Sequence, residues 1–183
     1  MEMHAVTYKR GIFDGMNYHQ TEGISYTDQQ WIFEPMTGAT SVAHFPKHVY
    51  KYLVGRQGQT MAPEVIARSR SHLQKCCLDM AAAMQRREAQ ISLAHSDYLN
   101  RRITRMAKSI YIESLKGIDN GNKNALMEFD NNLRVVNPDF YSRLADSCGR
   151  FSYIKFWRQH QNWPCGLFRM IMNTALALKS KNN

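Results

Sequence analysis

The longest regular pattern of apolar and polar positions covers residues 63–116. This segment contains no glycine, its one proline is its first residue, and Gly117 follows it directly. Proline suits the first turn of a helix, and glycine commonly ends one. Apolar and small side chains recur at steps of three or four, the spacing of one helical face, at Ile66, Ser69, Leu73, Cys76, Met80 and Met84, and again at Leu99, Ile103, Met106 and Ile110. The pattern predicts α-helix.

The apolar stripe weakens between Arg86 and Ser96, where only Ile91 and Leu93 are large and apolar. One interpretation is a single helix of about 54 residues, ~80 Å long. The other is two helices that meet near residues 94–97. Helices of about 54 residues are rare in small domains, so we favour two long antiparallel helices, a helical hairpin, over one long bent helix.

The first 45 residues show short apolar runs separated by turn signals, the pattern of strands. Residues 30–33 are the best strand candidate, residues 34–38 the turn that follows, and residues 40–45 the partner strand. Residues 5–8 and 16–19 are further candidates. Together they predict a small antiparallel sheet of three or four strands, which needs a helical layer to pack against.

Several shorter helices are predicted outside the long segment. Residues 46–53 can form one that begins at Pro46 and places His48, Val49, Tyr52 and Leu53 on one side. Residues 118–124 have the composition of a loop. Further helices are expected at residues 125–136, from Pro138 after an Asn137 cap to Gly149, at residues 150–161 and from residue 162 onward.

The predicted fold class is therefore α+β: a small N-terminal antiparallel sheet packed on a larger helical body. The 183 residues suit a single domain. Within it we expect a β-rich subdomain at residues 1–58 and the helical body at residues 60–183.

Positive charge is concentrated in the predicted helices. Residues 1–62 carry five basic and five acidic side chains, residues 63–116 carry ten and five, and residues 117–183 carry nine and five. The formal net charge of +9 therefore comes entirely from residues 63–183. Such an excess of positive charge favours an acidic or phosphate-bearing partner.

The candidate binding residues follow from this distribution. On a helix that begins near residue 96, Arg101, Arg105 and Lys108 lie on one side, and Arg102 lies beside it. Guanidinium groups fit carboxylates and phosphates. The predicted binding residues are Arg86, Arg87, Arg101, Arg102, Arg105 and Lys108.

Catalytic and metal-binding signatures are weak. The four cysteines, Cys76, Cys77, Cys148 and Cys165, and the seven histidines do not have metal-ligand spacing, so we expect no metal and no cofactor. A nucleophilic cysteine needs a nearby histidine, and His160 and Cys165 form one such pair in the sequence. It leaves a small toxin-like enzyme with a His/Cys centre as an alternative.

Targeting signals are also weak. No apolar run approaches the length of a membrane span, and the first residues lack the pattern of a cleaved signal peptide. We therefore expect four reduced thiols, no membrane insertion and a protein that is cytoplasmic or exported without a cleaved signal peptide.

The leading functional hypothesis is a non-enzymatic protein-interaction protein that binds an acidic surface of another protein. The size and composition of the chain are typical of bacterial or phage accessory and effector proteins. The main alternative is a nucleic-acid-binding regulator that uses the same basic helical face, and a homo-oligomer is also compatible with the sequence.

Overall fold

The computed structural model describes residues 3–51, 53, 69–149 and 152–181, and of residues 94 and 176–181 it describes the backbone alone. These parts of the chain contain short 3₁₀ turns and seven α-helices. The helices are α1 (Asp28–Trp31), α2 (Arg70–Arg87), α3 (Leu93–Lys116), α4 (Asn120–Val136), α5 (Pro138–Asp146), α6 (Tyr153–Gln159) and α7 (Cys165–Lys181).

The predicted sheet is wrong, since no residue of the described ranges forms a strand. Residues 30–33, the best strand candidate, fall in α1 and the turn after it. Ile32 and Phe33 are both completely buried. Adjacent residues of a strand point to opposite faces, whereas a helical turn can place both against one neighbouring helix. Here that neighbour is α2, which contacts α1 and the 3₁₀ turn Pro35–Gly38. The fold is all-helical rather than α+β.

The other strand candidates form turns and irregular chain. Residues 5–8 and 16–19 lie in a loop region that packs by its own aromatic rings. The Tyr8 hydroxyl donates to the carbonyl oxygen of Trp31 at 3.1 Å, and the rings of Phe13 and Trp31 stack 5.7 Å apart. Residues 40–45 are irregular and exposed. Aromatic packing around Trp31 replaces the hydrogen-bonded ladder that the apolar runs had suggested.

The prediction of two helices rather than one is confirmed within the described part of residues 63–116, while the proposed start at residues 60–63 lies outside it. The break comes earlier than expected: Glu88–Gln90 forms a 3₁₀ turn, and α3 starts at Leu93. Ser92 caps α3, because its hydroxyl accepts from the backbone N–H of His95 at 3.4 Å. The predicted junction near residues 94–97 lies inside this helix.

The chain forms two compact units, residues 1–103 and residues 104–183. The core of the first unit is built around α2, with completely buried Cys76, Cys77, Met80, Leu99 and Ile103. The core of the second unit has buried side chains from each of its helices, at Ile110, Leu115, Leu126, Phe129, Leu133, Phe140, Leu144, Ile154, Trp157, Phe168 and Met172.

Helix termini in the second unit follow capping chemistry. Asn137 accepts from the N–H of Phe140 at 2.9 Å, as the sequence predicts for the start of α5. Residues 150–161 contain the helix α6, which confirms the helical interpretation over a strand. The predicted loop at residues 118–124 is wrong from Asn120 onward, because Asp119 accepts from the N–H of Asn122 at 2.8 Å and starts α4 early.

Candidate functional site

The strongest candidate site lies in the first unit, at the C-terminal end of α2. Arg86 and Arg87 form the last turn of this helix. With Met16, Asn17 and Gln90 they line an open cleft of about 490 Å³, which we call the arginine cleft. Cations are favourable at a helix C-terminus because they face the negative end of the helix dipole. The cleft thus combines two guanidinium groups with the uncharged polar side chains of Asn17 and Gln90.

The loop before α1 shapes the opposite wall of the cleft. Gly15 and Asn17 both have left-handed backbone conformations, with φ of +72° and +47°. Glycine adopts this conformation without steric cost, and asparagine is among the residues that tolerate it best. The Gly15 carbonyl oxygen accepts from Nη2 of Arg87 at 3.5 Å, and Oε1 of Gln90 accepts from Nη1 at 3.4 Å. Arg87 is therefore oriented by neutral groups, and it forms no ion pair with any of the described residues.

Arg86 has a different environment from Arg87. Its side chain is exposed, and within the described residues it forms no hydrogen bond and no ion pair. The positive charge of Arg86 affects the pKa of Glu34. Burial raises the pKa of the Glu34 carboxyl, and the nearby Arg86 guanidinium partly opposes that rise. The guanidinium of Arg86 is available to an anion that enters the cleft.

A smaller polar pocket of about 210 Å³ adjoins the arginine cleft and shares Asn17 and Arg86 with it. Its other lining residues are His19, Thr21, Gln30, Glu34, Lys75 and Asp79. The pocket brings two carboxylates and two cations close together. Among the described residues, however, no group of three or more His, Cys, Asp or Glu side chains could hold a metal ion.

Most polar groups of this pocket are already bonded to one another. Gln30, almost fully buried, donates to Thr21 Oγ1 at 2.9 Å and to Asp79 Oδ2 at 2.8 Å, and it accepts from the N–H of Thr21 at 3.0 Å. Lys75 forms an ion pair with Asp79 one turn away. These bonds connect α1 to α2 and hold the loop at Thr21. The pocket is a structural junction between α1, α2 and the loop at Thr21.

The other predicted binding residues of the first unit are engaged. Arg101 forms an ion pair with Asp97 at 2.6 Å on the exposed surface of α3. Arg102 is half-buried and donates to Oε1 of Gln29 at 2.9 Å. Both arginines therefore have partners inside the molecule, and Arg102 contributes to packing as well as to charge.

The remaining two predicted residues lie in the second unit. Lys108 donates to the carbonyl oxygen of Ser147. Arg105 is exposed, and it has no hydrogen bond or ion pair within the described part of the chain. The sequence correctly indicates that these residues are cationic helix positions, but the structure brings only Arg86 and Arg87 together at a cleft.

A buried ionic network in the second unit has no counterpart in the sequence prediction. Asp130 of α4 is 2% exposed and accepts from Nε of Arg158 of α6 at 2.8 Å. Tyr141 Oη donates to Asp130 at 3.1 Å, and the Tyr111 hydroxyl donates to the same carboxylate. Burial, followed by the Asp130 charge, raises the pKa of Tyr111.

The guanidinium of Arg158 is equally well satisfied. It donates to the carbonyl oxygen of Tyr141 at 2.9 Å and to the hydroxyl of Tyr111 at 3.3 Å, and its carbon lies 3.4 Å from the centroid of the Tyr141 ring. A carboxylate with three donors and a guanidinium with three acceptors have little capacity for a ligand. This network stabilises the fold; its sequence signal was an aspartate at position 130 between apolar Phe129 and Leu133.

The His160 and Cys165 pair is not assembled as a catalytic centre. Nδ1 of His160 lies 2.8 Å from the carbonyl oxygen of Phe156, and its ring contacts Trp163 at a centroid distance of 4.2 Å. The Cys165 thiol donates to the side chain of Asn120 at 3.6 Å. No hydrogen bond joins the two residues. All four cysteines, which the structure describes, are free thiols.

Two further observations concern the class of protein. In the described ranges, none of the helices has the length and apolar character that crossing a bilayer requires. Comparisons with protein-family models, curated proteins and solved structures find no match.

Proposed function

We propose that this protein is a non-enzymatic interaction protein that binds an acidic surface of another protein through the arginine cleft. One observation carries the proposal: Arg86 is exposed at the edge of a cleft of about 490 Å³ and, within the described residues, forms no hydrogen bond or ion pair. Guanidinium groups bind carboxylates with two parallel hydrogen bonds. An aspartate or glutamate side chain of a partner fits this position.

The neighbouring groups support a carboxylate as the bound group. Arg87 is held by the Gly15 carbonyl oxygen and by Gln90, so its orientation is fixed while its positive charge is retained. Asn17 and Gln90 add neutral hydrogen-bonding groups to the cleft wall. An arginine that is oriented before binding loses less side-chain entropy when the partner arrives.

The engaged state of Arg101 and Arg102 weighs against a continuous nucleic-acid-binding surface on α3. Affinity for nucleic acid grows with the number of phosphates that are neutralised. Arg101 is already paired with Asp97, and Arg102 is bound to Gln29. An isolated arginine cleft is better suited to one or two carboxylates than to a run of phosphates.

The first test measures binding of a fluorescein-labelled ten-residue glutamate peptide by fluorescence anisotropy. Arg86→Gln should weaken binding by roughly tenfold, since hydrogen bonds to charged groups contribute about 1.5–3 kcal/mol. The matched control is Arg101→Gln, which removes the same charge from an exposed arginine of the same unit and should change affinity less than about twofold. Equal losses for both variants would contradict a specific cleft.

Nucleic acid is the competing outcome of the same assay. Duplex and single-stranded DNA of about 20 nucleotides replace the peptide, and salt is varied. A steep loss of affinity with salt that disappears in the triple variant Arg101→Glu, Arg102→Glu, Arg105→Glu would favour a nucleic-acid-binding regulator. Insensitivity of DNA binding to that variant, together with a strong Arg86→Gln effect on the peptide, supports the protein-interaction proposal.

The native partner is sought by photo-crosslinking in extracts of the host. A benzophenone amino acid at Met16, which lines the cleft, should form an adduct with an acidic segment of one protein. The Arg86→Gln variant should lose this adduct, and the Arg101→Gln variant should keep it. Adducts that do not depend on Arg86 would remove the cleft from the proposal.

A further inference from the structure

A second surface of the first unit exposes several large apolar side chains. Val42, Phe45, Val49 and Leu53 are 56%, 75%, 72% and 67% exposed. Residues 40–51 contain no helix or strand, and every one of them is exposed. Isolated apolar side chains are ordinary on a protein surface, whereas several within a dozen residues mark an interaction site. We call residues 45–51 together with Leu53 the exposed segment.

The order of residues in the exposed segment is that of an amphipathic helix. Phe45, Val49 and Leu53 are spaced four apart, so a helix places them within one stripe. Lys47 and Lys51 fall on the opposite side of that helix. A strand would instead mix them with the apolar residues, because positions 45, 47, 49, 51 and 53 share one face of a strand. The pattern therefore specifies a helix.

The structure explains why the helix is absent from this chain on its own. Two turns are too short to be stable in water without a surface to pack against. Around Pro46 the chain turns tightly, with the N–H of Lys47 donating to the carbonyl oxygen of Phe45 at 2.8 Å. The rings of His4 and Tyr50 stack with centroids 4.1 Å apart. The segment is held at the surface in an irregular conformation, and its apolar stripe remains exposed.

We propose that the exposed segment docks as a two-turn amphipathic helix into an apolar groove of another protein whose rim is acidic. Phe45, Val49 and Leu53 would be the anchors in that groove, as in other helix-in-groove complexes. The acidic rim follows from charge: the chain has no Asp or Glu between Glu34 and Glu64, while Lys47 and Lys51 lie within the segment. This inference does not depend on the arginine cleft.

The length of the segment favours a protein groove over a membrane surface. Helices that lie in the bilayer interface bury a long apolar face, and many have 20–30 residues. Gly55 and Gly58 follow the segment in the sequence, and glycine is unfavourable in helix interiors. A helix of about two turns offers three anchors, which suits a groove.

The test uses the full chain with Phe45→p-benzoylphenylalanine, irradiated in host extract, and mass spectrometry maps the adduct. We expect a single polypeptide adduct on an apolar segment flanked by Asp and Glu. Val49→Asp should abolish it. Lys51→Pro and Lys51→Ala remove the same charge, but only proline disrupts a helix. The adduct yield should fall about tenfold or more for Lys51→Pro relative to Lys51→Ala.

Several outcomes would overturn the proposal. Equal yields for Lys51→Pro and Lys51→Ala would show that the segment binds in an extended conformation. A yield no higher than with the crosslinker at exposed Thr40 would show that the anchors make no specific contact. Co-sedimentation with vesicles of 30% phosphatidylserine in phosphatidylcholine that is lost with Val49→Asp would assign the segment to a membrane surface. Circular dichroism of each variant verifies that the fold is retained.

Discussion

At the scale of single residues, Asp130 and Arg158 demonstrate how charge is accommodated inside the second unit. Their ion pair at 2.8 Å leaves the Asp130 side chain 3% and the Arg158 side chain 12% exposed. A buried pair is tolerated only when its remaining hydrogen-bonding groups are satisfied, and Tyr111 and Tyr141 supply those bonds. Removal of one partner should therefore cost far more than removal of a surface charge.

The first prediction concerns this pair. Asp130→Asn should lower the free energy of unfolding by about 3 kcal/mol, because it leaves the Arg158 charge buried without an opposite charge. The control is Asp97→Asn, which breaks the exposed pair with Arg101 and should cost less than about 1 kcal/mol. Urea denaturation measures both values. Similar losses for the two variants would mean that the buried network does not stabilise the fold.

Glu34 links stability to pH in the first unit. Burial raises the pKa of its carboxyl above the ordinary 4.5, and Arg86 opposes part of the rise. The folded chain therefore holds this proton more tightly than the unfolded chain does. The contribution of Glu34 to stability is greatest below pH 4.5 and decreases as pH rises through the raised pKa.

The second prediction follows from this decrease in stability with rising pH. Glu34→Gln cannot ionise, so it should raise the melting temperature near pH 7 and leave it almost unchanged near pH 4. It should also strengthen binding of the glutamate peptide, because a negative charge that interacts with Arg86 is removed. Glu22→Gln, at an exposed carboxylate, is the control. A melting temperature that falls at neutral pH would show that ionised Glu34 stabilises the fold through Arg86.

At the scale of elements, short polar caps decide where the helices begin. Ser92, Asp119, Asn137 and Ser152 each accept a hydrogen bond from a backbone N–H in the first turn of the following helix. These N–H groups have no partner within the helix itself. The caps allow α4, α5 and α6 to follow one another closely along the chain.

The third prediction concerns the cap of α5. Asn137→Ala should lower the free energy of unfolding by about 1 kcal/mol, since the N–H of Phe140 loses its acceptor. Asn137→Ser retains a capping oxygen and should recover most of that loss. Urea denaturation of the two variants tests this directly. Equal destabilisation by alanine and serine would indicate that the asparagine acts through other contacts.

At the scale of the whole molecule, charge and apolar exposure are distributed unevenly. The net charge of +9 comes from residues after position 62, yet the exposed apolar side chains of Val42, Phe45, Val49 and Leu53 all precede that position. The arginine cleft and the exposed segment are therefore different kinds of surface within the first unit. The arginine cleft suits carboxylates, and the exposed segment suits an apolar groove with an acidic rim. A protein partner with an acidic surface is therefore compatible with both.

Some local features were predictable because their signals lie within a few residues. The cap at Asn137 with proline at the next position predicted α5, and the weak apolar stripe after Arg86 predicted a break between two helices. The exact position of the break was harder to predict, because both Ser92 and Ser96 can cap a helix. In the structure Ser92 is the cap. Residues 30–33 misled the prediction because a short apolar run fits a strand or a buried helical turn equally well.

The helical stripes, the cap at Asn137 and the excess of positive charge are readable from the amino-acid sequence, because stripes and caps depend on residues within one or two helical turns and net charge depends on composition alone. Tertiary structure decided that Ile32 and Phe33 are buried in a helical turn instead of pairing in a sheet. It also decided that Arg102 binds Gln29 while Arg86 remains exposed at a cleft. These outcomes depend on which distant residues come into contact, and residue spacing contains no information about contacts across 50 or more positions.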